Sequence, residues 1–146
     1  DPGPLVNEVV SELLEQVPER RIAVSIGELP PCFADPSMLR QVYANLIGNA
    51  IKFTRHTSDP SIEIGAVTSS TGTVYHVRDN GIGFDMEYAD RIFKPFQRLH
   101  STKDYDGSGI GLATVERIIR RHGGSVWAEG KPGEGATIYF TIGGPP

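Results

Sequence analysis

The sequence has little cysteine and no long apolar run, and each scarcity excludes a class of protein. Among its 146 residues there is 1 cysteine, Cys32, so an internal disulfide cannot form and a reducing compartment is indicated. No stretch approaches the ~20 consecutive apolar residues that a membrane helix needs, and the start does not read as a signal peptide. We therefore expect a cytoplasmic location, without direct membrane insertion of this segment.

An excess of positive charge is also missing. The chain has 14 Lys and Arg residues against 18 Asp and Glu residues, a formal net charge of −4. That balance argues against nucleic acid or an anionic membrane as the main partner. The composition, with 38% hydrophobic and 22% charged residues, predicts a single domain over 1–146. The abrupt opening DPGPLVNEVV suggests that this domain was excised from a longer polypeptide.

Apolar periodicity predicts helices, and turn residues mark their ends. Asp35 is a plausible N-cap, with Pro36 at the first helical position, and Gly123 with Gly124 is a typical helix end. A polar segment over 94–109 shows little periodicity. The predicted helices cover 5–17, 36–54, 87–93 and 112–122.

Alternating apolar residues predict strands between these helices. Turns around 69–72 and 131–135 join two pairs of strands into hairpins. The mixture of helices and hairpins indicates an α+β fold, a two-layer α/β sandwich whose mixed sheet is covered on one face by helices. The predicted strands cover 21–26, 61–67, 73–79, 125–130 and 136–142.

The stretch NLIGNAIKFT, residues 45–54, places polar groups along one flank of the second helix. At ~100° per residue, Asn45, Asn49 and Lys52 fall within an arc of roughly 60°, while apolar pairs face the other side. Amide oxygens suit a hard cation and an ammonium group suits a phosphate. Taken alone, the pattern is more typical of a solvated helix face.

Two glycine clusters add to this flank. In RDNGIGFD, Asp79 follows a strand, and Gly81 and Gly83 would let a flat ligand approach the backbone. An ionised Asp there would accept a hydrogen bond from an exocyclic amine such as that of adenine, although local Asx turns are a common alternative. In GSGIGLATVERII, glycines precede a helix, an arrangement that suits a phosphate but also fits a flexible loop.

Together these stretches resemble the ATP-binding catalytic domain of sensor histidine kinases, in the superfamily of gyrase, chaperone, kinase and mismatch-repair ATPases. LRQVYANLIGNAIKFT resembles the N box of that family, DNGIGFD its first glycine box and IFKPFQRLH its F box. GSGIGLA resembles the second glycine box, and GEGATIYFTI the closing strand segment. The motifs keep the family's order over residues 5–142 and are most similar to phytochrome-like and related hybrid sensor kinases. The resemblance implies the Bergerat ATP-binding fold.

The resemblance also implies a site for ATP and Mg²⁺. Asn49 would coordinate the metal, Asn45 would lie on the metal or its waters, and Lys52 would reach the phosphates; these three would be the catalytic residues. Asp79 would accept the adenine amine, and Phe53 would pack against the base. The implied ATP-binding residues are Asn45, Asn49, Lys52, Phe53, Asp79, Gly81, Gly83, Arg98, Lys103, Gly107, Ser108, Gly109, Ile110, Gly111, Leu112 and Thr137.

Three parts of that set come from the second half of the chain. Residues 94–107 would form a lid over the nucleotide, with Arg98 and Lys103 bearing on phosphate. The glycines of the second glycine box would wrap the phosphates. Thr137 would contribute to the base pocket.

The resemblance implies transfer of phosphate to a separate domain. Hydrolysing relatives carry a Glu where this chain has Asn45, and an amide cannot act as the general base for water. In the family the acceptor histidine lies on an upstream dimerisation domain, a context that none of His56, His76, His100 and His122 shares. The isolated domain would then be a monomer that does not phosphorylate itself, with a response regulator as the downstream partner.

Three alternatives stay open at this point. The chain could be a serine kinase of the anti-sigma type, from the same superfamily, whose phosphoprotein product is stable in acid whereas phosphohistidine is not. It could be a nucleotide-binding regulatory module without transfer activity. It could also be a plain α/β domain whose glycines only form turns, which titration with ATP would reveal.

Overall fold

The computed structural model describes residues 1–89, 92–93 and 111–143, apart from the side chain of Tyr88. The helices are α1 (Pro2–Glu15), α2 (Pro36–Phe53) and α3 (Gly111–Arg121), with a 3₁₀ helix at Met86–Tyr88. The strands are β1 (Ala23–Ile26), β2 (Ser61–Ser69), β3 (Gly72–Asp79), β4 (Val126–Lys131) and β5 (Gly135–Phe140).

Helix α2 begins where its sequence predicts. The Asp35 carboxylate accepts hydrogen bonds from the backbone N–H groups of Ser37 and Met38, at 2.9 and 3.2 Å. These bonds satisfy donors that a helix start otherwise leaves without partners. Helix α1 begins earlier than predicted, because Asp1 caps a helix that starts at Pro2.

The sheet is mixed, with strand order β1-β2-β3-β5-β4. Strands β1 and β2 pair in parallel, and the other neighbouring strands pair antiparallel. One row of register partners crosses four strands on a single face, from Ile64 through Val77 and Ile138 to Ala128. The predicted α+β sandwich with a mixed sheet is confirmed.

The main core lies between that face of the sheet and the helices. The Phe140 ring stacks on Tyr75 at a centroid distance of 5.3 Å and meets the edge of Tyr43 at 5.6 Å. Burying these rings and the aliphatic side chains around them supplies the main stabilisation. The largest fully buried core side chains are Val6, Val9, Val42, Tyr43, Ile47, Ile62, Ile64, Val115, Ile119 and Phe140.

The opposite side of the sheet, which we call the outer face, carries Glu63, His76, Arg78, Trp127, Thr137 and Tyr139. Here Trp127 stacks on Tyr139 at 5.5 Å, and His76 Nε2 lies 3.3 Å from the Glu63 carboxylate. Trp127 stays 39% exposed, so this face is wetter than the core face. His76 is thus a strand residue with a local partner.

A second, smaller cluster lies beyond the main core. It comprises Phe84, Ile92, Phe93 and Ala128, all buried, and the Phe84 ring packs on Gly130 so closely that a Cβ there would be 2.5 Å from a ring carbon. Among the described residues of the short helix predicted over 87–93, the structure shows the 3₁₀ helix Met86–Tyr88, and residues 90–91 lie outside the described ranges. In the part of the chain that the structure describes, no helix combines the length and the apolar character needed to cross a bilayer.

Candidate functional site

The polar flank of α2 lies at the edge of the core. Asn45, Asn49, Lys52 and Phe53 are half-buried, between the fully buried stripe of the helix and its exposed side. The Asn45 amide nitrogen donates to the Gln41 carbonyl at 2.9 Å, a bond that does not use the amide oxygen. The Lys52 ammonium lies 4.8 Å from the centroid of the Phe53 ring.

Asp79, the last residue of β3, faces the same side as the core residues Tyr75 and Val77, because side chains alternate along a strand. Its carboxylate accepts a hydrogen bond from the Gly81 N–H at 2.8 Å. Burial raises the pKa of Asp79 to about 6, while hydrogen bonds from the backbone of Gly81 and Ala136 oppose that rise. Asp79 is therefore a desolvated hydrogen-bonding group on the helix-covered side of the sheet.

The end of α2 contacts the loop that follows Asp79. The Ile82 N–H donates to the Phe53 carbonyl at 3.0 Å. A Cβ on Gly81 would lie 2.2 Å from that same carbonyl oxygen, so only glycine fits at this position. The predicted residues Phe53, Asp79 and Gly81 are thus brought together by direct backbone contact.

Gly83 packs against the turn between β4 and β5. It has a φ of 67°, and a Cβ there would lie 2.1 Å from the Lys131 carbonyl oxygen. The Gly133 N–H donates to the Ile82 carbonyl at 2.8 Å. Gly83 therefore has a conformational reason to be glycine that does not depend on a ligand.

The start of α3 meets the polar flank of α2. A Cβ on Gly111 would lie 2.9 Å from Asn45 Oδ1, so this glycine permits close approach of the two helices. Leu112 is half-buried and packs against both hydrophobic clusters. Arg98, Lys103, Gly107, Ser108, Gly109 and Ile110, together with the predicted lid over 94–107, lie outside the described residues.

The Thr137 side chain lies on the outer face of the sheet, opposite to the face that carries Asp79. It pairs in register with Arg78, whose Nε donates to the Thr137 hydroxyl at 3.1 Å on the outer face. The register partner of Asp79 is Ala136. Because opposed residues of paired strands share a face, Ala136 and not Thr137 borders the Asp79 side. The alternation of ATIYFTI contained this signal, but it could be used only once the register was known.

A depression of about 320 Å³ also opens at the end of β5 nearest Gly135. Most of its walls come from the outer face and the β4–β5 turn, including Arg78, Glu129, Thr137 and Tyr139. Asp79 and Ala136 border it, whereas Asn45, Asn49 and Lys52 are not among its lining residues. Those three residues lie on α2, which packs on the helix-covered side of the sheet.

The chemistry of the donors around α2 restricts which metal site is possible. Within 1–89, 92–93 and 111–143, no three His, Cys, Asp or Glu side chains converge where they could hold a metal ion. Amide oxygens are the hard donors on the α2 flank. They suit an ion such as Mg²⁺, which takes one or two protein oxygens and completes its shell with phosphate oxygens and water.

Comparisons with known proteins identify the family of the chain. A family model described as histidine kinase-, DNA gyrase B- and HSP90-like ATPase matches residues 34–145. The phytochrome-like protein Cph1 of Synechocystis is 41% identical over 138 residues, and cyanobacterial phytochrome A of Nostoc is 43% identical over 137 residues. Each alignment covers 94% of this chain and 18% of the relative, so the chain spans less than a fifth of their length.

Solved structures show the same likeness. Full-length ShkA in complex with AMPPNP has a TM-score of 0.79 and 29% identity, covering 99% of this chain and 31% of that one. The nucleotide-free catalytic domain of histidine kinase ThkA has a TM-score of 0.78 and 28% identity, covering 96% of this chain and 90% of that domain. The five-stranded mixed sheet with its helices is thus the fold of histidine kinase ATPase domains.

Proposed function

The chain belongs to the family of histidine kinase-, DNA gyrase B- and HSP90-like ATPases, and on that premise we propose that it binds ATP with Mg²⁺ for phosphotransfer. The γ-phosphate would go to a histidine on a separate dimerisation domain of a sensor histidine kinase. One observation carries the proposal: a partly buried carboxyl group, Asp79, lies beside the end of α2, where the loop residues Gly81 and Ile82 contact Phe53.

The adenine end of the ligand would lie at Asp79. A carboxylate accepts hydrogen bonds strongly, and a desolvated one gains more from an amine donor than an exposed one does. Gly81 and Gly83 bring backbone rather than side chains to this wall, and the Phe53 ring supplies an apolar surface. Thr137 is left out of the proposed base pocket because its hydroxyl is bonded to Arg78 on the outer face.

The phosphate end would lie along α2 towards the start of α3. Lys52 supplies a cation and Asn49 an amide oxygen for the metal, with Asn45 beside Gly111 at the far end. Bound Mg²⁺ would neutralise charge on the phosphates, so positioning by these side chains is the main task of the protein. The lid residues Arg98 and Lys103 and the glycines at 107 and 109, with Ser108 and Ile110, complete the proposed set.

Transfer to a protein nucleophile is favoured over hydrolysis. A general base must accept a proton from the attacking water, and the amide of Asn45 has no such capacity. In the structure this amide is hydrogen-bonded to Gln41, its own helix neighbour, and contacts Gly111. The complex of ShkA with AMPPNP supports nucleotide binding by this fold.

Calorimetric titration with ATP, with and without Mg²⁺, tests the binding site. We expect Asp79→Asn to weaken ATP binding by about 1.5–3 kcal/mol, because a charged acceptor is replaced by a neutral amide. Asp59→Asn is the matched control, since Asp59 is exposed and has a φ of 53°, which Asn tolerates. Equal affinities in Asp79→Asn and the wild-type chain would remove the adenine assignment.

Phosphotransfer requires the full-length protein, and Asn49→Ala tests the metal role there. We expect this variant to keep its fold and to lose Mg²⁺-dependent labelling from γ-labelled ATP, because the amide ligand is gone. The label on the wild-type protein should be lost in acid, as phosphohistidine is. Acid-stable label would favour a serine kinase, and full activity in Asn49→Ala would discredit the metal role.

A further inference from the structure

A cation outside the proposed site reaches across the fold to the last turn of α2. Arg20 lies between α1 and β1, and its guanidinium donates to the Ile51 carbonyl. It also donates to the carbonyl and the hydroxyl oxygen of Thr54, at 2.9 and 3.0 Å. A planar guanidinium with several donors holds such a group of oxygens in a fixed geometry.

The groups that Arg20 binds need partners. The last carbonyls of a helix have no intrahelical donors, and a cation beside them also interacts favourably with the helix dipole. Thr54 is fully buried, at 0% exposure, and its hydroxyl donates to the Ala50 carbonyl at 2.8 Å. Arg20 and Thr54 together therefore fix the conformation of the chain where α2 ends.

That turn also carries the contacts to the base site. The carbonyl of Phe53, one residue before Thr54, accepts the Ile82 N–H at 3.0 Å. Gly81 packs against the same carbonyl, and its N–H binds the Asp79 carboxylate at 2.8 Å. A continuous series of polar contacts thus runs from the end of α2 to Asp79.

We propose that Arg20 is a positioning residue for the nucleotide site. By holding the last turn of α2, it holds the Phe53 carbonyl, and through that carbonyl the loop that sets the place of Asp79. The inference rests on the proposed function, because the hydrogen bonds of Arg20 would help to position a base pocket at Asp79. Losing the hydrogen bonds of Arg20 should then loosen the loop that follows Asp79 and weaken ATP binding, while distant parts of the fold stay unchanged.

A purely structural role predicts something different. If Arg20 only stabilised the protein as a whole, its loss would speed amide hydrogen exchange everywhere in the core by a common factor. A positioning role predicts a local change. Two loop amides allow the comparison, since the Ile82 N–H donates to Phe53 at 3.0 Å and the Gly124 N–H donates to Ile119 at the same distance.

The experiment measures exchange at these two amides and the ATP dissociation constant in Arg20→Ala. We expect exchange at Ile82 to accelerate roughly tenfold while Gly124 stays at the wild-type rate, and the dissociation constant to rise roughly tenfold. Arg20→Lys keeps the charge but offers one donor group instead of a fork, so it should give an intermediate dissociation constant and serves if Arg20→Ala does not fold. Arg21→Ala removes the neighbouring exposed cation and should change neither readout.

The outcomes separate the two proposals. Equal acceleration of amide exchange at Ile82 and Gly124 in Arg20→Ala overturns the role of Arg20 alone. An unchanged exchange rate at Ile82 does the same, provided that the wild-type chain binds ATP. Faster amide exchange at Ile82 without any change in the ATP dissociation constant also overturns the positioning role of Arg20. A wild-type chain that binds no ATP overturns the proposed function, and with it the nucleotide role of Arg20.

Discussion

The two faces of the sheet differ sharply where β3 and β5 run side by side. On the outer face, the exposed Arg78 and the buried Thr137 form a polar pair with a hydrogen bond of 3.1 Å. One residue further along β3, Asp79 and its register partner Ala136 turn to the helix side, where burial raises the pKa of the carboxyl to about 6. Adjacent residues thus enter different environments.

This difference between the two faces shows that the chemical type of a residue does not by itself predict whether that residue belongs to the site. Thr137 has a hydroxyl that could bind a base, and Ala136 has only a methyl group, yet it is Ala136 that lies on the Asp79 side. The alternation of side chains along a strand decides between them, and a shift of one residue reverses the assignment. Variants at these positions should therefore separate the two faces.

The largest effect is expected at Gly81, on the helix side. In Gly81→Ala the new Cβ would lie 2.2 Å from the Phe53 carbonyl oxygen, and because that atom is backbone, either the loop or the end of α2 must shift. We expect the free energy of unfolding to fall by about 2–4 kcal/mol and ATP binding to be lost. Denaturant unfolding and calorimetry measure the two changes.

Gly48→Ala is the control for that prediction. Gly48 lies within α2, and nothing lies within 4 Å of the place its Cβ would take. Alanine is the better helix former by about 1 kcal/mol, so this variant should be neutral or more stable than the wild type. A Gly81→Ala variant as stable as Gly48→Ala would mean that the contact with Phe53 is not tight in solution.

Through Asp79, a change of pH should act in opposite directions on stability and on binding. The pKa of Asp79 is raised from 3.8 to about 6, so the folded state holds a proton that the unfolded state has lost. Stability from this group is present below pH 4 and is lost as the pH rises to about 6, a change on the order of 1–3 kcal/mol. ATP affinity should instead rise roughly tenfold between pH 5 and pH 7, as the carboxylate forms.

The variant Asp79→Asn is the control for the pH prediction. It cannot titrate at this position, so it removes the contribution of the carboxyl while retaining the titration of ATP itself. The difference between the wild-type and Asp79→Asn curves should therefore change between about pH 4 and about pH 6 in unfolding, and near pH 6 in ATP titrations. Parallel curves across that range would contradict the raised pKa.

The smallest effect is expected from a matched pair of valine substitutions. Ala136→Val adds two methyl groups beside Asp79 and should weaken ATP binding by about 1–2 kcal/mol through crowding. Thr137→Val replaces a hydroxyl by a methyl group on the outer face, where water can satisfy Arg78, and should change affinity less than twofold, about 0.4 kcal/mol. Calorimetric titration of both variants compares the faces directly. A larger loss in Thr137→Val than in Ala136→Val would reverse the assignment.

Much of the fold could be predicted because its signals are local. Asp35 and Pro36 mark the start of α2, and the alternation of SIEIGAV and TVYHVRD marks two strands. The contact between Asn45 and Gly111 is different, since it joins residues far apart in the chain. The motifs suggested that these two residues share a ligand, but only the packing of α3 on α2 shows that they touch.

By itself, the sequence determined the elements and the kinds of chemical groups that the chain offers, because helix caps, side-chain periodicity and turn glycines act over a few residues. Only the tertiary structure decided which of those groups meet. Strand register placed Ala136 rather than Thr137 beside Asp79, and the docking of the α1–β1 segment placed Arg20 on the end of α2. Such contacts depend on the packing of whole elements, which no short stretch of sequence specifies.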